Sequence, residues 1–385
     1  MPGFYEFFCG GGMARAGLEP EWRCLFANDV DARKGAAYAA NWGSGELRLG
    51  DVASLRAPDL PGEADLAWAS FPCQDLSIAG AGAGLGGARS GAFWGFCSAM
   101  RALSSEGRAP RLIALENVAG VLTSNGGADF AAICGALQGL GYLFGALTID
   151  AAHFLPQSRP RVFFVAVRRG GVPPVRLVSP GPPPHHASSA LKRVASALPP
   201  AVAADWLWWR APEPRRANLR LADCLDGDAN ETRWHSVDQT GRLLAALSPA
   251  SRRDVALARE SGERAIGALF RRTRPDGAGA VRVQAEARFD GLAGCLRTPG
   301  GGSSRQFLIV VAGDKTRTRL MTPREAARLM GLPDDYALPS RATDAFHLVG
   351  DGVATPVVRF LSENLLLPLV SRRLEGGVAL RAKGA

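Results

Sequence analysis

The stretch Phe4-Tyr5-Glu6-Phe7-Phe8-Cys9-Gly10-Gly11-Gly12 decides the fold, because an apolar run passes directly into three consecutive glycines. The run predicts a short buried strand, and the glycines predict a tight turn into a helix near residue 14. Glycines at such a turn let a ligand approach the backbone closely, and the next helix N-terminus favours an anionic group. A nicotinamide cofactor would use a similar loop, and a purely structural turn has the same pattern.

The same alternation of apolar runs and helical patterns continues through the first 170 residues. We expect strands at 4–8, 23–27, 47–49, 65–70, 112–116, 144–149 and 161–167, and helices near 14 and at 31–41, 93–104 and 129–140. Short strands separated by helices predict an α/β fold with a doubly wound, mostly parallel, Rossmann-like sheet. Ligands of such a sheet bind at the carboxyl ends of its strands.

Composition narrows the class of protein. The chain has 385 residues, 47% of them hydrophobic and 21% charged, which excludes a largely disordered or fibrous chain. No apolar run approaches the ~18 residues of a membrane span, and the start lacks a secretory signal, so we expect a cytoplasmic protein without a membrane partner. The seven cysteines include no CxxC pair, which argues against a disulfide framework and a zinc site.

The basic charge is concentrated in the middle of the chain. Residues 171–316 carry +7 of the formal net charge of +9, and they begin with a proline-rich stretch that ends the alternating pattern. A nucleic-acid partner would produce this excess, and so would a solvated arginine-rich surface. We expect a second, smaller and irregular domain here. Strong helix signals return at Thr322-Pro323-Arg324-Glu325 and at Thr355-Pro356, so the first domain would be discontinuous, 1–170 and 317–385.

Two acidic residues extend the candidate site beyond the glycine loop. Asp29 ends the second expected strand about 20 residues later, where an acid can accept hydrogen bonds from ribose hydroxyls. Asp51 ends the third expected strand. Together they indicate a pocket for a nucleoside-bearing cofactor, whereas the alternative for each acid is a helix cap or a turn.

Cys73 stands between Pro72 and Gln74 at the end of the fourth expected strand, so it would face the ligand crevice. A nearby cation or helix N-terminus would favour the thiolate and make it a nucleophile. The alternative is an inert buried thiol, which is the commoner state of a cysteine.

Three more ionisable residues follow along the chain. Glu116 comes at the end of the fifth expected strand and could act as a general acid, or it could cap a helix. Arg159 and Arg161 alternate in an extended segment, so both guanidinium groups lie on one face. That arrangement suits an anion or a carbonyl oxygen, although a charged edge strand would have the same sequence.

Taken in order, these motifs resemble the cytosine-C5 DNA methyltransferase family of the bacterial or phage type. Order and spacing agree over residues 4–168 and 317–368, including the segments 319–333 and 350–353. Residues 171–316 fall where this family has its variable target-recognition domain. The resemblance implies a DNA (cytosine-5-)-methyltransferase that uses S-adenosyl-L-methionine, acts on a flipped cytosine in double-stranded DNA and works as a monomer.

The resemblance also implies residue roles. Cys73 would add to carbon 6 of the cytosine, Glu116 would donate a proton to N3, and Arg161 would hold O2, while Arg159 positions Glu116 and its loop. The catalytic residues would be Cys73, Glu116, Arg159 and Arg161, and the cofactor-binding residues Phe8, Gly10, Gly12, Asp29, Asp51, Val52, Pro72, Asp351, Gly352 and Val353, with no metal. The glycine-rich stretch 79–87 would form a lid over the extruded base, or a plain surface loop.

The chain departs from the family pattern at four positions. Met13 stands in place of a glycine and would narrow the methionine end of the cofactor pocket, and Val30 replaces an aromatic residue that stacks on adenine. Ser70 replaces a glycine and Asp351 replaces an asparagine. Each of these changes concerns the cofactor side of the expected site.

Several alternatives stay open. A relative that methylates transfer RNA would keep the fold, and a non-catalytic DNA-binding relative would not need Cys73 or Glu116. A dehydrogenase would use the glycine loop but leave those residues without roles. His185 and His186 read as an exposed loop rather than a metal site. A cognate restriction endonuclease encoded nearby, an orphan role and a phage role are equally compatible, and the target sequence cannot be read.

Overall fold

The computed structural model describes residues 1–72, 92–226, 234–275, 281–298 and 305–371. Cys73, the glycine-rich stretch 79–87 and the C-terminal residues 372–385 lie outside the described residues. The first 170 residues form β1 Gly3–Phe7, α1 Met13–Leu18, β2 Arg23–Asp29, α2 Ala32–Trp42, β3 Leu47–Leu49, β4 Leu66–Ala69, α3 Ala92–Ser105, β5 Leu112–Val118, α4 Ala128–Gly139, β6 Tyr142–Asp150 and β7 Pro160–Arg168.

These strands form one large sheet in the order β3-β2-β1-β4-β5-β7-β6. The five strands from β3 to β5 are parallel, and β7 runs antiparallel to both β5 and β6. β1 and β4 are buried along their whole length, as expected of central strands covered by helices on both faces. The expected α/β, mostly parallel Rossmann-like fold is therefore confirmed.

Alternate side chains of the central strands separate two hydrophobic cores. Phe4 and Trp68 lie in the core on one face of the sheet, together with Leu361 from the C-terminal helices. Tyr5 and Phe7 lie in the core on the other face. Because successive side chains of a strand point to opposite faces, the continuous apolar run at the N-terminus supplies both cores at once.

The middle of the chain contains a second, smaller sheet. The elements beyond β7 are β8 Val178–Ser179, α5 Ser189–Ser196, α6 Pro200–Ala203, β9 Trp208–Trp209, α7 Val237–Ala245, α8 Pro249–Glu260, β10 Ala265–Pro275, β11 Val281–Arg288, β12 Gln306–Ala312 and β13 Lys315–Leu320. Four of them form an antiparallel sheet in the order β11-β10-β12-β13, with α8 packed against it. We expected an irregular domain, so this regular sheet is a difference from the sequence analysis.

The segment 207–209, which lies within the basic part of the chain, packs on the large sheet. The backbone N–H of Leu207 donates to the carbonyl oxygen of Phe144, and Trp209 Nε1 donates to the carbonyl oxygen of Val165 at 2.9 Å. Gly145 allows this contact, because a Cβ there would lie 1.9 Å from the Leu207 oxygen. The division of the chain into 1–170, 171–316 and 317–385 stays a prediction.

The chain then returns to the first sheet through helices. These are α9 Pro323–Arg328, α10 Ala342–Asp351, α11 Thr355–Leu361, a π-helical turn Ser362–Leu366 and α12 Leu367–Val370. Thr322 and Glu325 form the expected capping box at the start of α9. By length and composition the stretch Ala342–Val370 could cross a membrane, but 61% of its most apolar window is buried inside the protein, as in a core helix.

Candidate active site

The glycine loop between β1 and α1 lies at the carboxyl end of the central strand. Phe8, Gly10 and Gly12 have positive φ angles of 57°, 55° and 77°, a conformation that favours glycine. The carbonyl oxygen of Gly11 accepts hydrogen bonds from Trp42 Nε1 at 3.0 Å and from the Tyr336 hydroxyl at 2.6 Å. Two side chains from distant parts of the chain therefore hold this loop.

The two predicted cofactor acids have different surroundings. Asp29 is buried, and its carboxylate accepts hydrogen bonds from the backbone N–H groups of Gly10 and Asp31, each at 2.8 Å. Asp51 is exposed and caps a short 3-10 helix by accepting from the N–H of Ala53 at 2.9 Å. Val52 is buried beneath α3. Asp29 thus shapes the glycine loop, while Asp51 stands at the open edge.

Glu6 is a site residue that the sequence analysis missed. It is 1% exposed, one carboxylate oxygen accepts from the N–H of Arg15 at 3.3 Å, and the other has no hydrogen-bond partner among the described residues. Burial raises the pKa of this carboxyl to about 8. An acidic residue inside an otherwise apolar strand was the available signal.

The backbone that leads into Cys73 is held beside β5. Phe71 is buried and its ring packs against Phe93 with 4.9 Å between the ring centroids. Asn117, which follows Glu116 in the sequence, donates from Nδ2 to the Phe71 carbonyl oxygen at 3.3 Å. Pro72 is half-buried and is the last described residue before Cys73. The chain therefore approaches residue 73 alongside the end of β5.

Glu116 and Arg161 form an ion pair. Strand pairing places Val118 of β5 opposite Arg161 of β7, and Arg161 Nε lies 3.1 Å from Glu116 Oε1. Both side chains are largely buried, with 12% of Arg161 and 8% of Glu116 exposed. In such a position the guanidinium group fixes the orientation of the carboxyl group.

Arg159 is hydrogen-bonded to backbone segments far along the chain, and its expected role in positioning Glu116 stays a prediction. It is 2% exposed, and its guanidinium group donates to the carbonyl oxygens of Leu296 at 2.8 Å, Gly350 at 2.9 Å and Gly352 at 2.6 Å. The alternating pattern placed both arginines on one face, but strand β7 begins between them, at Pro160. Arg159 consequently ties two distant backbone segments, around 296 and 350–352, to the start of β7.

Cys295 is a second residue that the sequence analysis missed. Its sulfur accepts hydrogen bonds from Arg159 Nη1 at 3.6 Å and from Arg161 Nη1 at 3.9 Å. Burial on its own would raise the pKa of this thiol, but the two guanidinium groups outweigh it and the pKa lies below its usual value. Neither spacing nor composition marked Cys295, because it meets the arginines only through the tertiary fold.

The turn 350–353 approaches the glycine loop from the other side. A Cβ on Gly352 would lie 2.1 Å from Met13 Sδ, so a larger residue there would require the Met13 side chain to shift. Asp351 forms an ion pair with Lys34 and also accepts a hydrogen bond from Thr298. Val353 is buried in the core. Val30 is 73% exposed at the same edge of the sheet.

The structure thus collects many of the predicted residues at one edge. Within the described ranges, no group of three His, Cys, Asp or Glu side chains could hold a metal ion. His185 is exposed and lies 3.3 Å from Glu213, but His186 is buried and its Nε2 is 2.8 Å from the Pro212 carbonyl oxygen. The expectation of an exposed loop is therefore wrong for His186.

A parallel sheet with a glycine loop, acidic strand ends and a buried Glu–Arg pair defines a Rossmann-like methyltransferase. The model of the family "C-5 cytosine-specific DNA methylase" matches residues 3–366. The chain belongs to this family and is an enzyme, a cytosine-C5 DNA methyltransferase whose methyl donor is S-adenosyl-L-methionine and whose substrate is DNA.

Individual relatives support this assignment. The type II methyltransferase M.NlaX of Neisseria lactamica is 25% identical over 364 residues, which cover 94% of this chain and 95% of that protein. M.HpaII of Haemophilus parainfluenzae is 25% identical over 381 residues, covering 94% and 88%. The crystal structure of S. pombe Dnmt2 has a TM-score of 0.61 at 16% identity and covers 96% of this chain and 99% of that one.

The residues at this edge fit S-adenosylmethionine. The cofactor carries ribose hydroxyl groups, and the site offers the carboxylate of Asp29 together with the buried carboxyl group of Glu6, one oxygen of which has no partner among the described residues. A Cβ at Gly10 would meet no atom within 4 Å, so the loop is open on that side. An acidic side chain at the end of β2 beside an open glycine loop is suited to a nucleoside ligand.

Proposed function

We propose that this enzyme methylates carbon 5 of a cytosine flipped out of a specific duplex DNA sequence, through a covalent adduct with Cys73. The observation that carries the proposal is the Glu116–Arg161 pair, 3.1 Å apart, beside the backbone that leads into Cys73. Carbon 5 of cytosine is a poor nucleophile, so a thiolate must first add to carbon 6.

The roles of the side chains follow from the electron flow. The Cys73 thiolate forms a bond to carbon 6, and Glu116 delivers a proton to N3, which leaves an enamine with electron density at carbon 5. Arg161 orients Glu116 and binds the O2 of the base. After methylation, a base removes the carbon-5 proton, which re-forms the double bond between carbons 5 and 6 and expels the thiolate, and N3 returns its proton to Glu116. We infer that Arg159 acts indirectly, by holding the segments around 296 and 350–352.

The cofactor residues are the glycine loop with Phe8, Gly10 and Gly12, the acids Asp29 and Asp51 with Val52, Pro72 beside the cysteine, and the turn with Asp351, Gly352 and Val353. When bound, S-adenosylmethionine supplies an electrophilic methyl group. The loop residues orient the ligand through backbone groups, and Asp29 is suited to the ribose hydroxyls. Glu6, with its raised pKa, adds a buried acceptor beneath the loop.

The target cytosine cannot react inside a stacked duplex, so we propose base flipping into the site. The basic segment 171–316 would select the sequence, and the enzyme would act as a monomer in the cytoplasm. The type II names of the relatives support a modification role beside a restriction endonuclease encoded nearby. An orphan or phage enzyme would need the same chemistry.

Trapping on a substrate analogue tests the covalent step. Duplex DNA with 5-fluorocytosine at the target should retain the wild-type protein covalently, because fluorine cannot leave as a proton does. Cys73→Ala should form no adduct and no 5-methylcytosine by bisulfite sequencing, and Cys97→Ala, a change at a buried thiol in α3, is the matched control. Full activity of Cys73→Ala would contradict the proposal.

A substrate comparison separates the DNA enzyme from the transfer-RNA alternative. Methyl incorporation is measured on duplex DNA and on transfer RNA under the same conditions. We expect incorporation into duplex DNA only, and incorporation into transfer RNA alone would contradict the proposed substrate.

A further inference from the structure

The Lys34–Asp351 ion pair crosses from α2 to the turn 350–353. Lys34 Nζ lies 2.6 Å from Asp351 Oδ2, and the exposed fractions of the two side chains are 20% and 31%. Asp351 also accepts a hydrogen bond from the Thr298 hydroxyl through its other oxygen. The pair therefore joins one edge of the candidate cofactor site to the turn that closes the other edge.

Both partners lie next to residues assigned to the cofactor. Burial on its own would lower the pKa of Lys34, but Asp351 raises it, with a smaller contribution from Asp29. Lys34 is thus close enough to Asp29 to interact with it electrostatically. On the opposite side, Gly352 packs against Met13 at the start of α1. Because Asp29 is proposed to bind the ribose, the amino-acid end of the cofactor would lie on this second side of the glycine loop.

The charge at this side of the site matters for that ligand. The amino-acid end of S-adenosylmethionine carries an α-carboxylate, and an unpaired carboxylate at Asp351 would repel it. The ribose hydroxyl groups of the cofactor have an acceptor elsewhere, since Asp29 is hydrogen-bonded to the glycine loop. A neutral ion pair at 351 removes the repulsion without removing the turn.

We propose that Lys34 is a positioning residue for the cofactor: its ammonium group neutralises Asp351, so that the α-carboxylate of S-adenosylmethionine can bind beside the turn 350–353. The inference rests on the proposed assignment of that turn to cofactor binding. It explains why aspartate is compatible with a position where the resembled family has asparagine.

The test measures binding rather than turnover. Calorimetric titration of the full-length protein gives the dissociation constants of S-adenosylmethionine and of its decarboxylated analogue, which lacks only the α-carboxylate. Lys34→Met should weaken binding of S-adenosylmethionine about tenfold, the scale of leaving one charge of a partly buried pair uncompensated. Binding of the decarboxylated analogue should change less than about twofold, because no repulsion remains to be relieved.

The double variant tests whether Lys34 acts through its charge or only by linking α2 to the turn 350–353. Asp351→Asn keeps a side-chain oxygen for Thr298 but removes the charge that Lys34 neutralises. Lys34→Met combined with Asp351→Asn should therefore bind S-adenosylmethionine within about threefold of Asp351→Asn alone. Arg33→Met is the matched control, because Arg33 is 64% exposed and pairs with Asp344 between the same two helices. It should not alter binding of either ligand.

The binding constants of these variants either support or overturn the role of Lys34. The inference is overturned if Lys34→Met binds S-adenosylmethionine as wild type does, or if the double variant binds it more than about threefold more weakly than Asp351→Asn alone. Failure of the wild-type protein to bind S-adenosylmethionine would overturn the cofactor assignment itself. If Lys34→Met does not fold by circular dichroism, Lys34→Gln replaces it, with the same expected loss for S-adenosylmethionine and the same small change for the decarboxylated analogue.

Discussion

At the scale of single residues, Glu116 has the most demanding role, because it must both pair with Arg161 and give a proton to the cytosine. Glutamine in its place keeps the shape and can still hydrogen-bond to Arg161, but it has no proton to transfer. Glu116→Gln should therefore lower kcat by roughly 10²–10⁴, the usual scale for loss of a general acid. Single-turnover methylation measures this directly, and the dissociation constant of the cofactor should change little.

Glu63→Gln is the matched control for Glu116→Gln, because Glu63 is exposed and precedes the amino end of β4, whereas the site lies at the carboxyl ends of the strands. Turnover of Glu116→Gln within a few-fold of wild type would show that Glu116 is structural and that another acid protonates the base.

The individual site residues divide by the kind of signal they leave in the sequence. Asp29 and Glu116 could be predicted as candidates because each ends an apolar strand, and strand ends meet at one edge of a parallel sheet. Cys295 and Lys34 left no such signal, since their partners lie more than a hundred residues away. The different roles of Arg159 and Arg161 depend on where β7 begins, which spacing alone does not fix.

At the scale of elements, the start of α9 combines a helix cap with a buried ion pair. Thr322 Oγ1 accepts from the N–H of Glu325 at 3.2 Å, and the fully buried Glu325 also binds Arg319, with 2.8 Å between Nη1 and Oε2. Thr322→Ala should lower the free energy of unfolding by about 1 kcal/mol, as loss of an N-cap does. Glu325→Ala should cost about 3–5 kcal/mol, because it leaves Arg319 buried without its partner.

Urea unfolding followed by circular dichroism measures both changes. Ser248→Ala removes the equivalent N-cap of α8 and is the matched control, with an expected loss near that of Thr322→Ala. Equal losses for Thr322→Ala and Glu325→Ala would contradict the structural importance of the buried pair.

Elements could be predicted wherever apolar runs alternate with helix signals, and this covers the large sheet and α9. The second sheet could not be predicted from the sequence. Its strand β10 includes the consecutive arginines Arg271 and Arg272, and its pairing with β12 depends on contacts between segments far apart in the chain. An antiparallel sheet can leave one face in water, so charged residues interrupt its pattern and resemble a solvated loop.

At the scale of the whole molecule, the charge distribution predicts that residues 171–316 recognise the DNA sequence. Replacing this segment with that of a relative of known target should transfer the methylated sequence, which bisulfite sequencing reads out. Neutralised phosphates make binding depend on salt, and the log–log slope falls by about 0.9 for each phosphate that the protein no longer neutralises. Neutralising the exposed Arg215 and Arg216 together should reduce that slope if both touch the DNA backbone.

Neutralising Arg168 and Arg169, which lie just outside the segment, is the matched control for the salt dependence. An active chimera that keeps the original target would show that recognition lies elsewhere and that the domain division is wrong.

The hydrogen bond from Tyr336 that holds the glycine loop has a consequence for folding during synthesis. Gly11 and Tyr336 are hydrogen-bonded across 325 positions of the chain. A ribosome releases the N-terminus first, so a growing polypeptide has its loop long before the residue that holds it. We therefore expect competence to take up the methyl donor only late in translation, after residues 171–316 have emerged. Truncated products of interrupted synthesis that lack Tyr336 should bind the cofactor poorly.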